Sequence, residues 1–262
     1  MDTVTLNSDL VIKNQSIGVD GSLSGSGLED GVDGLLGLGP VDLTQKSVSN
    51  AYEVPTVMNN LYAQGAISSE VLGVFFSPTS DGTTGELTFG GYDASKTTGT
   101  VNYVPITLVY PSNAYWGIDQ SISYGNTLIL RETAGIVDTG STLILIATGG
   151  LPHITTTKIL LTHSSDAFNA YQAATGATLD QNTGLLMISS DQYNKLSSLY
   201  YTIGGITYEL TPNGQIWPRS LNTAIGGSSD SVYLIVSDLG NYSGTGLDFI
   251  NGYCFLYAGL IR

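Results

Sequence analysis

The residues best suited to chemistry are the run Ile136-Val137-Asp138-Thr139-Gly140-Ser141-Thr142. A carboxylate at position 138 can take or return a proton in general acid–base work, provided its surroundings hold it in one orientation. Two β-branched residues before it read as the end of a buried strand, which presents Asp138 on a turn. Gly140 lets the backbone pass close beneath a reacting group, and Thr139 and Ser141 bring hydroxyls that can hold the carboxylate and its loop. The same residues also suit an Asp that merely starts a turn. The tetrad by itself does not separate the two readings.

The elements that must position this run are short strands. Gly, Ser and Thr punctuate brief alternating apolar stretches throughout the chain, the pattern of an all-β protein. Residues 4–6 and 10–12 flank Asn7-Ser8-Asp9 as a hairpin, and residues 71–76 and 86–89 flank a turn-rich loop at 78–85. Residues 201–203 and 206–210 flank Gly204-Gly205, a two-residue turn whose glycines tolerate positive φ. Three short helices are predicted. One runs over 55–64 with Val57, Met58, Leu61 and Tyr62 on one face and Gly65 as its stop. Another starts at Asp166 and ends before Gly176, and a third follows Ser190, with Tyr193 and Leu196 facing inward. Gly90-Gly91-Tyr92-Asp93 and the polar stretch after it mark the internal boundary, with a fresh β-rich unit beginning at Val101.

Composition removes several functional classes. The 262 residues contain 42% hydrophobic residues, enough for substantial cores. Acids outnumber bases 22 to 8, for a net charge of −14. The clustered Lys and Arg that phosphates demand are missing, so neither nucleic acid nor an anionic membrane is an expected partner. No apolar run approaches the roughly 20 residues that span a bilayer. The acidity suits acidic surroundings, where protonation relieves self-repulsion, and it equally suits a chain kept soluble by charge. Cys254 is the one cysteine, which leaves no internal disulfide and no cysteine-based metal site. Its apolar context predicts a buried small hydrophobe. His153 and His163 have no acidic residue between them, so no metal is expected. Signatures of serine hydrolases, dinucleotide sites and phosphate loops are absent, and no cofactor is expected. Met1 is followed at once by a strand-like stretch, so no signal peptide is read. Asn14-Gln15-Ser16 and Asn241-Tyr242-Ser243 are the candidate glycosylation sequons.

Five stretches follow one another in order: Asp33-Gly34-Leu35-Leu36-Gly37-Leu38-Gly39, the helix at 55–64, Gly85-Glu86-Leu87-Thr88-Phe89-Gly90-Gly91-Tyr92-Asp93, Tyr115-Trp116-Gly117-Ile118 and the Asp138 tetrad. In this ordered set the chain resembles the pepsin family of aspartic proteases, and within it the secreted fungal members of the polyporopepsin type. The resemblance covers most of residues 1–250. It implies two β-rich lobes facing across a cleft, each contributing one Asp-Thr-Gly loop. It further implies a polypeptide substrate, a monomer and an extracellular address. Asp138 matches the second-lobe catalytic residue. Thr139 would brace the two loops against each other, Ser141 would hydrogen-bond the carboxylate, and Gly140 and Thr142 would border the substrate backbone.

The chain also departs from the family's pattern. No second Asp-Thr-Gly or Asp-Ser-Gly occurs; Asp20, Asp30, Asp33 and Asp81 precede glycines without the tetrad. The resemblance places residue 1 inside the first lobe, beyond its catalytic loop and flap, so that Leu35-Leu36-Gly37 would cradle a loop not in the chain. Residues 149–165 look foreign, as a retained intron translated in frame would. Removing them joins Thr148 to Asp166, the family's usual path from strand into helix. Residues 246–256 match the approach to the last strands, after which 257–262 break off, and the apolar-apolar-Gly strand supporting the Asp138 loop is expected to be missing. The fold expected is therefore an all-β, two-lobed, pepsin-like one, with 1–93 the remainder of the N-terminal lobe and 94–262 a C-terminal lobe without its last strands. The expected function is aspartic endopeptidase by family, with the 262 residues inactive alone. The alternative is a non-catalytic binding or inhibitor-like protein on the same fold, which the intact tetrad disfavours. A homodimer pairing Asp138 with its own copy is disfavoured because the first-lobe remnant would occupy the partner's place.

Overall fold

The structure is a computed structural model that describes residues 1–19, 33–49, 51–77, 85–149 and 166–257. The predicted loop at 78–85 lies largely outside these residues. So do 150–165 with both histidines, and 258–262. The chain forms two compact units, Met1–Lys96 and Thr97–Arg262.

The first unit holds two hairpins and a helix. β1 (Asp2–Thr5) pairs antiparallel with β2 (Val11–Gln15), as the alternation around Asn7-Ser8-Asp9 predicts. Asn7 closes that turn by accepting the amides of Asp9 and Leu10 on its side-chain oxygen. α1 (Val57–Ala63) begins at a capping box: Asn59 donates its amide to Thr56 Oγ1 and accepts the Thr56 amide on its own Oδ1. Gly65, at φ +73°, is its stop. Val57 and Leu61 are buried, but Tyr62 is 50% exposed. At about 100° per residue Tyr62 stands about 120° from the centre of the Val57–Leu61 stripe, so the predicted apolar face was drawn too wide. β3 (Leu72–Phe75) and β4 (Glu86–Phe89) pair antiparallel. Ile12, Val57, Leu61 and Ile67 form the buried core, with Val4, Leu6, Leu10, Met58 and Phe89 against it.

The second unit is organised by one sheet. Residues 101–108, at the start of the β-rich unit expected from Val101, lie outside any strand. The first strand is β5 (Gly117–Tyr124), which turns at Gly125 (φ +54°) into β6 (Thr127–Val137). β7 is Ile144–Ile146, β8 Thr178–Leu179, β9 Leu186–Ile188, β10 Leu199–Ile203, β11 Ile206–Leu210, β12 Val232–Tyr233, β13 Val236–Asp238 and β14 Phe249–Asn251. Seven strands are hydrogen-bonded in the order β11-β10-β5-β6-β14-β7-β13. The β10–β11 hairpin has the predicted turn, with Gly204 at φ +56° and Gly205 at φ +79°. α2 (Ala167–Thr175) starts at Asp166, which accepts the Asn169 amide, and stops at left-handed Gly176. α3 (Ser190–Tyr193) has a Ser189–Gln192 capping box. α4 (Tyr253–Tyr257) follows β14 directly, which the sequence did not announce. One core unites the sheet with α2 and α4 through Ile122, Leu130, Ile146, Tyr171, Phe249 and Phe255. No helix among the described residues is long and apolar enough to cross a membrane.

Candidate active site

β6 ends at Val137, so Asp138 is the first residue beyond a strand locked on both sides. On one side the Val137 amide donates to Trp116 O at 3.0 Å. On the other, the Asp138 amide donates to Asn251 O at 3.1 Å. The carboxylate is held by its own loop: Oδ1 accepts the Gly140 amide at 2.9 Å and Oδ2 accepts the Ser141 hydroxyl at 2.7 Å. Each oxygen thus has a donor, which fixes the plane of the carboxylate. A Cβ on Gly140 would lie 3.2 Å from Oδ1, tight enough to push against the carboxylate. Asp138 is half-buried, whereas Thr139, Gly140 and Thr142 are exposed. The loop therefore presents a polar backbone to solvent around one oriented acid.

Below the loop, the structure corrects one expectation. The strand that supports the Asp138 loop is present, and it is β14. It runs parallel to β6, pairing Ile250 with Ile136 and Asn251 with Val137. Beyond it, the Tyr253 amide donates to Ser141 O at 2.6 Å and the Cys254 amide to Thr142 O at 3.0 Å. At Gly252 a Cβ would collide with the carbonyl oxygens of Ser141 and Leu143, so this close passage requires glycine. The signal was Phe249-Ile250-Asn251-Gly252, two apolar residues and a glycine separated by one polar residue. That asparagine is buried and makes a reciprocal amide pair with buried Gln120 on β5. Gln120 Nε2 donates to Asn251 Oδ1 at 3.2 Å, and Asn251 Nδ2 donates to Gln120 Oε1 at 2.8 Å.

Other titratable groups have structural partners. Asp248 is 1% exposed, and its oxygens accept the Thr133 hydroxyl at 2.7 Å, the Ser243 hydroxyl at 3.0 Å and the Gly244 amide at 2.8 Å. This carboxylate ties the turn before β14 to β6. Cys254 is buried, and burial pushes its thiol up to about 11. Among the described residues no three His, Cys, Asp or Glu side chains converge as metal ligands. Asn14 and Asn241, the sequon asparagines, are both exposed. Leu35 and Leu36 are 84% and 41% exposed and lie in no strand.

Comparison with known proteins agrees with this geometry. Residues 1–228 match the family model of eukaryotic aspartyl proteases. The chain is 56% identical over 260 residues to polyporopepsin from Irpex lacteus, covering 97% of this chain and 70% of that protein. It is 32% identical over 227 residues to rhizopuspepsin-1 from Rhizopus niveus, covering 86% of this chain and 51% of that one. The crystal structure of aspartic proteinase from Irpex lacteus aligns with a TM-score of 0.85, over 97% of this chain and 70% of the other. The chain spans about half the length of rhizopuspepsin-1.

Proposed function

Because this chain belongs to the eukaryotic aspartyl proteases, we propose that Asp138 is one of two carboxylates that hydrolyse peptide bonds through an activated water. The observation behind this is the orientation of Asp138 at a strand end, one donor on each oxygen, with an exposed loop around it. Two such carboxylates in contact cannot both ionise readily, so the pair shares one proton. The ionised member takes a proton from water as the water oxygen attacks the scissile carbonyl carbon. The protonated member gives its proton to the carbonyl oxygen. The carboxyl that took the water's proton then passes it to the leaving nitrogen as the C–N bond breaks, and a hydroxyl of the tetrahedral intermediate returns its proton to the other carboxylate. In this reading Thr139 braces the opposing loop, Ser141 keeps Asp138 oriented, and Gly140 and Thr142 flank an extended polypeptide substrate. The exposure of Thr139, Gly140 and Thr142 supports those contacts.

The same reading divides the chain after residue 93 into the remainder of one lobe and a second lobe bearing Asp138; the compact units Met1–Lys96 and Thr97–Arg262 support it. It places the protein outside the cell, with exposed Asn14 and Asn241 available for glycans. Residues 149–165 are an insertion in the family pattern. Supporting this, the Gly149 amide donates to Asp166 Oδ1 at 3.2 Å, so the residues flanking 150–165 already meet.

These 262 residues contain one Asp-Thr-Gly and no Asp-Ser-Gly. Purified alone and incubated with denatured globin at acidic pH, they are expected to show no cleavage that pepstatin suppresses. Pepstatin-sensitive fragments from this polypeptide alone would overturn the requirement for a second loop.

A further inference from the structure

We propose that Gln120 and Asn251 form a buried amide clasp that sets the register of β14 against β6 and so places the Asp138 loop. This rests on reading Asp138 as a catalytic carboxylate, and it makes the two amides positioning residues.

β14 sets its register through three residues only: two pair parallel with β6, Ile250 with Ile136 and Asn251 with Val137, and all three pair antiparallel with β7. Yet three hydrogen bonds to the loop depend on it: those of the Asp138 amide with Asn251 O, the Tyr253 amide with Ser141 O, and the Cys254 amide with Thr142 O. A slip of one residue would turn Asn251 to the opposite face and bring half-exposed Ile250 or side-chain-free Gly252 to its place.

Side chains supply what the short ladder lacks. Gln120 and Asn251 are both fully buried, and each amide donates to the other's oxygen, so a slip strands two buried polar groups at once. β6 lies between their strands in the sheet, and the clasp bridges it. Gly135 on β6, where a Cβ would collide with Phe249, leaves that face without a side chain in the way. The residue whose side chain is clasped is the one whose carbonyl receives the Asp138 amide, so side-chain pairing is transmitted to the loop within one residue. An apolar pair could fill the same volume but would tolerate sliding, because dispersion contacts are non-directional.

Amide hydrogen exchange on the full 262-residue chain tests this. Asn251→Leu and Gln120→Leu each leave one buried amide without its partner. The amides of Asp138, Tyr253 and Cys254 should then exchange faster by about tenfold or more. Amides of the β8–β9 hairpin, which lies in a separate sheet, should change less than about twofold, since sites without shared partners are independent. The reciprocal swap, Gln120→Asn with Asn251→Gln, restores an amide pair and should return the three loop amides to within about threefold of the parent rate. Loop and hairpin amides accelerating together in the single variants would overturn the proposal, and so would a folded swap variant whose Asp138 amide stays unprotected. If the single variants do not fold, the swap decides alone. Exchange does not depend on catalysis, so failure of the clasp and failure of the protease reading are separately visible.

Discussion

Asp138 owes its orientation to the two residues that follow it closest in space, Gly140 through a backbone amide and Ser141 through a hydroxyl. Those two bonds, at 2.9 and 2.7 Å, hold the carboxylate in one plane before any substrate arrives. Cys254 shows the opposite use of burial. Its amide holds Thr142 O while its thiol sits 8% exposed in the core, where burial pushes it up to about 11. A thiol that stays protonated at neutral pH is a poor nucleophile. Native protein at pH 8 is therefore expected to leave Cys254 unmodified by a thiol-specific disulfide reagent, with one equivalent reacting after denaturation. Full reaction in the native state would show that the segment from β14 to α4 is not packed as described.

The loop is a product of elements distant in sequence. β6 delivers Asp138, and β14 passes beneath it more than a hundred residues later. The connection from β7 to α2 matters in another way. Phe168 donates its amide to Ala147 O and Gly149 donates to Asp166 Oδ1, so strand and helix are already joined across the residues between them. Replacing residues 150–165 by two glycines takes the connection from 16 residues to 2 and lowers the entropic cost of closing it by about 2 kcal/mol. The variant should melt within about 3 °C of the parent or above it in a calorimetric scan. A fall beyond about 5 °C would contradict the reading of 149–165 as an insertion. Local elements of this kind were legible in the sequence because their signals are local. Asp166 announces a helix start, Gly65 a helix stop and Gly204-Gly205 a turn, and Ile136-Val137 announce the strand before Asp138. What could not be read was long-range pairing. Residues 246–256 match, by resemblance, an approach to later strands; no local signal marks β14 within them, because a buried asparagine at 251 makes sense only with its partner Gln120, 131 residues away. Tyr62 was misplaced for the converse reason: a seven-residue helix has room for a narrow buried stripe only.

At the level of the whole molecule, the two units differ in how much they bury. The second carries a continuous core from Ile122 to Phe255, whereas the described part of the first centres on Ile12, Val57, Leu61 and Ile67 and leaves Leu35 and Leu36 exposed. A net charge of −14 relaxes as carboxylates protonate, so acid conditions ease rather than strain this surface. In the proposed reading, Asp138 acts only with an opposing carboxylate, and with one it is indispensable. The decisive measurement joins this chain, in one polypeptide, to a first-lobe segment carrying the family's other Asp-Thr-Gly loop. Globin cleavage at acidic pH is then followed with and without Asp138→Asn. Pepstatin-sensitive cleavage should appear in the joined protein and fall by about 10³-fold or more in the variant, because an isosteric amide can neither share the proton nor accept one from water. Cleavage that survives Asp138→Asn would contradict the account.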